Sequence, residues 1–471
     1  MTGLDALNEQ VRADLAKLAF GAPTWVRPRE GVYDVVIVGG GQSGLGAAFG
    51  LMRERVSNIL VIDENPSGYE GPWDTYARMI TLRTPKHITS IDLCIPSLTF
   101  RAWWEAQHGG ASWEQIDKIP RQDWMAYLRW YRAVLEIPVE NETRLTLVDP
   151  VSDGTWLLHV EGPNGPRTIA ARKVVLATGI QGGGEWHVPA FIKEALPKGR
   201  YFHTSAMIDY AALAGKKIGI LGAGASSFDN AQYGLSLGVA EAHVFVRRTA
   251  LPTINPIRFM EQSGLIGRFT ALDDAAKYHV MASFFERNQP PTNDTFQRAA
   301  AWPGFRLHLG SPWLSVRETA DGAEVVTPHG TFLFDALVLS TGLVTDPGLR
   351  PELRLVAGDI ARWRDRYAAP AAVANPLIDD HPYLGAGFQL LPKVSEAAQK
   401  LHGLFAFNYS GLISLGLSAS ALSGLKYAIP KLVDGVANQL FTDDQEAALR
   451  DYLAYDEPEF VSVWPAEGQA A

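Results

Sequence analysis

Two glycine-rich turns hold the residue types best suited to binding a nucleotide phosphate. The first contains Gly39, Gly41 and Gly44, which follow the β-branched run Val35–Val38 and precede a helix-forming segment. Glycines at these offsets permit a tight turn, close approach of the backbone to a pyrophosphate, and close packing of helix on strand. The helix N-terminus adds unpaired N–H groups and a partial positive charge. This spacing predicts a dinucleotide-binding turn; a glycine-rich turn in another kind of α/β unit is the alternative.

Two carboxylates stand where such a unit selects its ribose. The next predicted strand, Ile59–Ile62, ends in Asp63 and Glu64, nineteen and twenty residues after Gly44. A carboxylate at this point can accept hydrogen bonds from a ribose 2′-OH. The acidic ending therefore predicts a nucleotide without a 2′-phosphate.

The second glycine-rich turn repeats the pattern with one change. A predicted strand, Ile218–Leu221, leads into Gly222 and Gly224, and Ser227 stands where the third glycine belongs. A small residue at that place still allows the helix to pack closely on the strand. The turn predicts a second dinucleotide site.

The strand after the second turn ends in cations instead of carboxylates. His243–Val246 is followed by Arg247 and Arg248. Two guanidinium groups there suit a 2′-phosphate and predict NADPH over NADH, whereas a solvated basic strand end is the alternative. One acidic and one basic ribose selector imply two different nucleotides in one chain. Such a pair makes physical sense as hydride transfer from a nicotinamide to a flavin.

Composition limits the remaining possibilities. The chain has 471 residues, and its apolar share of 47% and charged share of 20% are those of a globular protein with room for two or three domains. The formal charge of −9 argues against nucleic acid or an anionic membrane as a partner. Cys94 is the single cysteine, so neither a disulfide nor a cysteine metal cluster can form within the chain, and no metal is predicted. We expect a cytoplasmic protein with no signal peptide and no membrane span.

The order of predicted elements indicates how the two sites are built. An amphipathic helix over residues 4–19 precedes the first unit, and it should pack on the body of the protein or on a partner subunit. Each unit continues through a hairpin-like stretch into a buried strand, Val174–Gly179 in the first and Ala336–Asp346 in the second. The predicted fold is α/β, with two Rossmann-like dinucleotide-binding domains, the second inserted into the first. The predicted parts are residues 1–180 (the first dinucleotide-binding unit), 181–344 (the second unit), and 345–471 (completing the first unit).

Several short motifs make the chain similar to a known group. It resembles the class B flavin-dependent monooxygenases, which include flavin-containing, Baeyer–Villiger and N-hydroxylating enzymes. The motifs that carry the resemblance are GPW (71–73), TLRTPK (81–86), GRYFHT (199–204), VFVRRTALP (244–252) and STGLVTD (340–346). Pro197 stands where the Baeyer–Villiger fingerprint has an aromatic residue, which favours the other subtypes.

The resemblance implies cofactors, a reaction and site residues. It implies FAD in the first unit and NADPH in the second, with O2 and a small organic molecule as substrates. A C4a-(hydro)peroxyflavin would insert one oxygen atom at nitrogen or sulfur, with Baeyer–Villiger oxygenation of a ketone as the alternative. It places His203 near the nicotinamide and Arg83 where related enzymes carry an asparagine facing the flavin. It also places Arg248 near the 2′-phosphate of NADPH and assigns Trp73, Gly179 and Gly342 to cofactor binding.

Other readings stay open. Five tryptophans, at 103, 104, 113, 124 and 130, could line a substrate cavity, although core packing is favoured. A helix starting near Ser410 could direct its positive end at the flavin, or could be a tightly packed small-residue helix. The polar cluster from Asp379 to Tyr383 could face substrate, but a capped loop is favoured. The lone Cys94 argues against a flavin disulfide reductase, a non-catalytic nucleotide-binding regulator remains possible, and a homodimer is allowed.

Overall fold

The computed structural model describes residues 3–151 and 154–460. The outer ends of the first and last predicted parts, residues 1–2 and 461–471, lie outside this range. The strands are β1 (Tyr33–Val38), β2 (Ile59–Ile62), β3 (Val139–Glu140), β4 (Arg144–Pro150), β5 (Trp156–Gly162), β6 (Gly165–Leu176), β7 (Gly184–Trp186), β8 (Tyr201–His203), β9 (Lys217–Leu221), β10 (Glu241–Phe245), β11 (Phe305–His308), β12 (Ser315–Thr319), β13 (Gly322–Thr327), β14 (Gly330–Phe334), β15 (Ala336–Leu339), β16 (Leu343–Thr345) and β17 (Leu404–Phe405).

The α-helices lie between and after these strands. They are α1 (Gly3–Lys17), α2 (Gln42–Arg53), α3 (Phe100–His108), α4 (Arg121–Val134), α5 (Ala190–Ala195), α6 (Ala225–Ser236), α7 (Pro256–Gln262), α8 (Leu265–Arg268), α9 (Asp274–Arg287), α10 (Asn293–Ala300), α11 (Trp363–Arg366), α12 (Pro376–Asp379), α13 (Ala398–Leu401), α14 (Leu412–Leu415), α15 (Leu422–Asp443) and α16 (Gln445–Ala454). Within the described residues, none of these helices is long and apolar enough to cross a membrane.

The first sheet has the order β3-β2-β1-β6-β5-β4, with β17 also paired to β6. Strand β1 pairs in parallel with β2 and β6, and five of its six residues are buried. A continuous apolar run such as YDVVIV is typical of a parallel strand covered on both faces. The carboxyl end of β1 therefore delivers the first glycine turn to the edge where ligands bind in parallel α/β sheets.

The second sheet is parallel throughout, with the order β11-β10-β9-β15-β8. Its strands come from residues 201–339, whereas those of the first sheet come from 33–176 and 404–405. The antiparallel strands β12, β13 and β14 form a separate three-stranded sheet. A first sheet with a parallel core around β1 and a second sheet that is parallel throughout, both accompanied by helices, confirm the predicted α/β fold class of two Rossmann-like units. The domain limits at residues 180 and 344 stay a prediction.

Strand β6 differs from the sequence interpretation. A hairpin strand and a separate buried strand, Val174–Gly179, were expected, but residues 165–176 form one strand. Its first half pairs antiparallel with β5 and its second half pairs in parallel with β1. A single strand can serve both roles because its burial changes from half-exposed to complete along its length.

The N-terminal helix packs on the body of the protein, one of its two expected positions. Val11 and Leu15 of α1 are buried, and Ser97 donates a hydrogen bond to Asp14 at 2.8 Å. The positions of the five tryptophans support core packing. Those at 103, 104, 113 and 124 are buried in the largest core cluster, and Trp130 packs against it. They pack in a core, as the favoured interpretation has it, and Trp113 and Trp124 also line a small cavity of about 170 Å³.

Candidate nucleotide-binding and active site

The first glycine turn is built so tightly that side chains are excluded at two of its positions. Gly39 has φ of 109°, and a Cβ placed on it would lie 2.5 Å from the Ala177 carbonyl oxygen. A Cβ on Gly44 would lie 1.8 Å from the Gly39 carbonyl oxygen. Both distances are far inside van der Waals contact. The backbone itself therefore requires glycine at the first and third positions.

The middle glycine is different because the space beside it is open. A Cβ on Gly41 would approach no atom closer than the Cα of Gly71, at 3.8 Å. Helix α2 starts directly after Gly41, and no side chain caps its N-terminus. Open space next to uncapped amide groups fits a bound pyrophosphate.

The two carboxylates after β2 have separate positions. Asp63 is 6% exposed and accepts a hydrogen bond from the Gly40 amide at 2.7 Å and two from Asn65 at 2.8 and 2.9 Å. Burial raises the pKa of Asp63, and these donors oppose the shift. Its side chain therefore holds the glycine turn, whereas Glu64 is exposed. Only Glu64 presents a solvent-facing carboxylate at this strand end.

The GPW segment lies against the first turn, because Gly71 is the nearest neighbour of the space beside Gly41. Trp73 is buried and meets Trp124 edge-on with ring centroids 6.4 Å apart. The indole of Trp124 donates in turn to Gln42 at the start of α2, at 3.1 Å. A cleft of about 880 Å³ opens beside Gly40 and is lined by the loop 67–70 and by α4. This size is that of a pocket for a large organic ligand.

A buried asparagine joins the last segment of the chain to the first turn's neighbourhood. Asn408 is 1% exposed, and its amide donates to the Leu176 carbonyl and the Thr178 hydroxyl, both at 3.1 Å. The next amide, of Tyr409, donates to the Gly179 carbonyl at 3.2 Å. Gly179 thus lies where β6 meets the C-terminal segment.

The helix expected near Ser410 is much shorter than a dipole argument needs. A single 3-10 turn, Tyr409–Gly411, leads into the four-residue α14, which ends at Gly416 with φ of 73°. A helix of one turn sums few peptide dipoles, so its positive end is weak. Its side chains Leu412, Ile413 and Leu415 are buried, which supports the packing alternative.

The second glycine turn shares the first turn's tight entry but is looser afterwards. Gly222 has φ of 139°, and a Cβ there would lie 2.4 Å from the Ser340 carbonyl oxygen. A Cβ on Gly224 would meet nothing within 4 Å, and no side chain caps α6 behind it. Ser227 is fully buried, and its hydroxyl has no hydrogen-bond partner among the described residues. The open, uncapped helix start again fits a phosphate group.

The two arginines after β10 have different environments. Arg248 donates to the carbonyl oxygens of Glu286, at 2.7 Å, and Arg287, at 3.4 Å, at the C-terminal end of α9. Cations are stabilised at helix C-termini, so this contact is favourable in itself. Arg247 is exposed at the end of the strand. It is the guanidinium left facing solvent at the point where a 2′-phosphate was expected.

His203 ends β8 at the same edge of the second sheet. Its ring stacks on Trp186 with centroids 4.9 Å apart, and its Nδ1 lies 2.8 Å from the Ser205 hydroxyl. Burial lowers the pKa of His203 to about 4, so the ring is neutral at neutral pH. Gly342, with φ of 76°, follows the neighbouring strand β15 and accepts a hydrogen bond from the His187 amide at 2.9 Å. Both residues lie at the carboxyl end of the second sheet.

Arg83 reaches from the first unit to the second. Its guanidinium forms an ion pair with Asp229 of α6, a residue that the sequence interpretation missed. Asp229 is 7% exposed, and burial raises its pKa while Arg83 opposes the shift. A carboxylate on the buried face of α6, two residues after Ser227, was the available sequence signal. The sequence interpretation also missed Asn408, because an isolated asparagine carries no spacing pattern.

The cluster from Asp379 to Tyr383 forms a hydrogen-bonded loop. Asp379 accepts from the Tyr278 hydroxyl at 2.8 Å, and Tyr383 donates to Asp274 at 2.9 Å. His381 is 2% exposed and donates from Nδ1 to the Leu377 carbonyl at 2.7 Å. These contacts support the favoured interpretation of a capped loop. Within the described residues, no group of three or more potential metal ligands occurs.

Comparisons with known proteins match this architecture. A sequence family described as FAD-NAD(P)-binding matches residues 36–181, and one described as L-lysine 6-monooxygenase/L-ornithine 5-monooxygenase matches residues 113–282. The FAD-dependent urate hydroxylase of Xanthomonas campestris pv. campestris is 62% identical over 472 residues, covering 99% of each chain.

Solved structures share the fold at low sequence identity. The ornithine N-hydroxylase of Kutzneria sp. 744 has a TM-score of 0.67 and 16% identity, covering 87% of this chain and 99% of that one. The ornithine hydroxylase of Pseudomonas aeruginosa has a TM-score of 0.68 and 17% identity, covering 87% of this chain and 100% of that one. These likenesses show the fold alone.

The fold, the two glycine cradles (the turns at residues 39–44 and 222–227) and the relatives together define a class of protein. It is a flavoprotein enzyme that binds FAD and a nicotinamide nucleotide in separate units. More specifically, the chain belongs to the class B flavin-dependent monooxygenases, in the family of the FAD-dependent urate hydroxylase. This confirms the resemblance that the short motifs carried.

Proposed function

We propose that this enzyme hydroxylates urate with O2, using electrons from a nicotinamide coenzyme. The observation that carries the proposal is the 62% identity to a urate hydroxylase along 99% of both chains. Urate, O2, NAD(P)H and a proton would give hydroxylated urate, NAD(P)+ and water. One oxygen atom enters the substrate, and the two electrons of the hydride reduce the other to water.

The first unit would hold FAD. Backbone amides at Gly41 and at the start of α2 would bind the pyrophosphate, and Glu64 would accept hydrogen bonds from the ribose. Gly39 and Gly44 keep the turn closed, and Asp63 holds it through Gly40. Trp73 and Gly179 would flank the bound cofactor. When bound, FAD supplies the passage of electrons from nicotinamide to O2 and the transfer of oxygen to the substrate.

The second unit would hold the nicotinamide nucleotide. Gly222 and Gly224 would admit its pyrophosphate to the N-terminus of α6, and Ser227 allows the helix to lie close. We propose NADPH as the preferred coenzyme, with the 2′-phosphate bound by the exposed Arg247. Arg248 would support that site indirectly, because its own donors are directed at the end of α9.

His203 and Gly342 would position the nicotinamide end of the coenzyme. A neutral imidazole stacked on Trp186 and fixed by Ser205 has one orientation, so it can hold a ligand group by a directed hydrogen bond. With its pKa at about 4, the ring is a poor source of protons at neutral pH. We therefore propose a positioning role for His203.

The direct test is coenzyme consumption by the FAD-loaded protein in air with and without urate. We expect urate to accelerate NADPH oxidation, with product formed in proportion and little hydrogen peroxide. The same assay with NADH measures the coenzyme preference. Coenzyme oxidation that urate leaves unchanged, with all O2 recovered as peroxide, would contradict the proposal.

A second candidate is N-hydroxylation of an amino acid with a terminal amine. The match of residues 113–282 to the lysine and ornithine monooxygenase family favours it. This belongs to the predicted oxygenation at nitrogen or sulfur, which, like Baeyer–Villiger oxygenation, stays a prediction. Ornithine, lysine, a sulfide and a ketone in the urate assay would separate these reactions. The predicted homodimer and the cytoplasmic location also stay predictions.

A further inference from the structure

One face of α6 is held by the part of the first unit that lies between β2 and α4. Arg83 pairs with Asp229 of α6. Tyr233 lies one helical turn after Asp229, and the guanidinium of Arg78 lies over its ring, 4.9 Å from the centroid. A further ion pair joins Lys118 to Asp294 of α10, the helix beside α6. All of these contacts cross from the FAD unit to the nicotinamide unit.

Asp229 is the most buried of the charged side chains in the two ion pairs. The side chain of Asp229 is 9% exposed and that of Arg83 is 33% exposed, whereas Lys118 and Asp294 are 23% and 30% exposed. A buried carboxylate without a counter-charge is costly, so Asp229 favours conformations that keep Arg83 in place. Removing either partner leaves the other one unpaired.

The position of Asp229 gives this contact its consequence. It lies in the second turn of α6, the helix whose open N-terminus follows Gly224. A displacement of α6 would displace the nucleotide held there by about as much. Hydride transfer depends steeply on the approach of the two rings, and an error of about 1 Å can slow a reaction about 100-fold.

We propose that the Arg83–Asp229 pair is a latch that fixes α6, and the nicotinamide nucleotide at its N-terminus, against the flavin unit. Arg83 is thus a positioning residue for hydride transfer, acting through α6. The inference rests on the proposed use of two nucleotides but not on urate as the substrate.

The experiment measures flavin reduction in the absence of O2, with and without urate, in rapid-mixing mode. The variants are Arg83→Gln, Arg83→Lys, Asp229→Asn and the double variant Arg83→Gln/Asp229→Asn. We expect the glutamine and asparagine variants to lower the limiting reduction rate at least tenfold, with less than threefold change in the Kd of the coenzyme. The double variant should be no slower than the slower single one, and Arg83→Lys should recover part of the rate.

Two further readouts separate a latch from a general loss of stability. Hydrogen exchange of the α6 amides in coenzyme-free protein should become faster in Arg83→Gln, while α2 stays unchanged. A 4-deuterated coenzyme should show a larger isotope effect in the variant if hydride transfer has become slower. The matched control is Arg317→Gln, which removes an exposed ion pair with Glu324 on the separate β-hairpin.

The inference is overturned if Arg83→Gln reduces its flavin within twofold of the wild-type rate, or if the losses of the two single variants multiply. It is also overturned if only the melting temperature changes. If Arg83→Gln does not fold, Asp229→Asn and Arg83→Lys carry the same test. A wild-type enzyme whose flavin is reduced normally but that leaves urate unchanged would contradict the proposed function alone.

Discussion

The two glycine cradles are both proposed to bind a nucleotide, but they differ in how strictly they exclude side chains. In the first, the third glycine is packed so closely that an added Cβ would lie 1.8 Å from the Gly39 carbonyl oxygen. In the second, the equivalent Ser227 carries a hydroxyl that is buried without a hydrogen bond among the described residues. In the first unit, strand β2 is followed by the exposed Glu64. In the second unit, strand β10 is followed by the exposed Arg247. A permanently bound cofactor suits the tighter cradle, and an exchanging coenzyme suits the looser one.

Alanine at the third position should break the first cradle, with the largest effect of all. Gly44→Ala forces the backbone apart, so we expect a loss in the free energy of unfolding of at least about 3 kcal/mol together with loss of FAD. Thermal melting and the flavin absorbance of purified protein measure both. A yellow Gly44→Ala protein with wild-type melting temperature would contradict the packing.

A larger side chain at the middle glycine should separate binding from folding. Gly41→Val places its Cβ at an ordinary distance from Gly71, so the protein should fold and yet be purified without FAD. The matched variant Gly224→Val should keep FAD and weaken coenzyme binding at least tenfold. Full flavin loading of Gly41→Val would disprove the assignment of the first cradle.

The strand ends can be tested by coenzyme preference. Arg247→Ala should weaken NADPH binding about 10- to 100-fold, since a charge-assisted phosphate contact is worth roughly 1.5–3 kcal/mol, and should leave NADH nearly unaffected. Arg248→Ala should also raise the NADPH requirement more than that for NADH, but less than Arg247→Ala does, because Arg248 contacts α9. Steady-state KM values for both coenzymes measure the effect. Equal changes for NADPH and NADH would remove the 2′-phosphate role.

Lowering the pH should destabilise the second unit through protonation of His203. Its pKa is about 4 in the folded protein against an ordinary 6.5, so between these values the unfolded chain binds more protons. The free energy of unfolding should then fall as the pH is lowered from 6.5 to 4, by about 3 kcal/mol for this residue. His203→Gln should flatten that part of the stability profile measured by urea unfolding. An unchanged slope would contradict a buried, neutral His203.

The smallest effect should come from Ser227→Ala, the counterpart of Gly44→Ala. Removing a buried hydroxyl that has no partner should change the free energy of unfolding by less than about 1 kcal/mol, and in the stabilising direction. Urea unfolding of the coenzyme-free protein measures it. A large destabilisation would mean that the two cradles are equally strict.

Much of this comparison could be predicted from local sequence. Both glycine turns, the strands before them and the contrasting strand ends follow from spacing and residue type within about thirty residues. The division of labour between Asp63 and Glu64 could not be predicted, because it depends on which carboxylate meets the Gly40 amide in three dimensions. Arg83 and Asp229 are 146 residues apart, and no periodicity links them. A helical segment does begin near Ser410, as predicted, but its length could not be predicted, because Gly416 ends the α-helix after one turn.

In the proposed reaction, electrons from the nicotinamide nucleotide of the second unit reduce O2 at the FAD of the first unit, and one oxygen atom enters urate. Turnover of urate under 18O2, with coenzyme oxidised, O2 consumed and product formed all quantified, tests it most directly. We predict equal amounts of the three and one 18O atom in each product molecule. Product without 18O, or coenzyme oxidation matched by hydrogen peroxide with urate left intact, would contradict the proposed reaction.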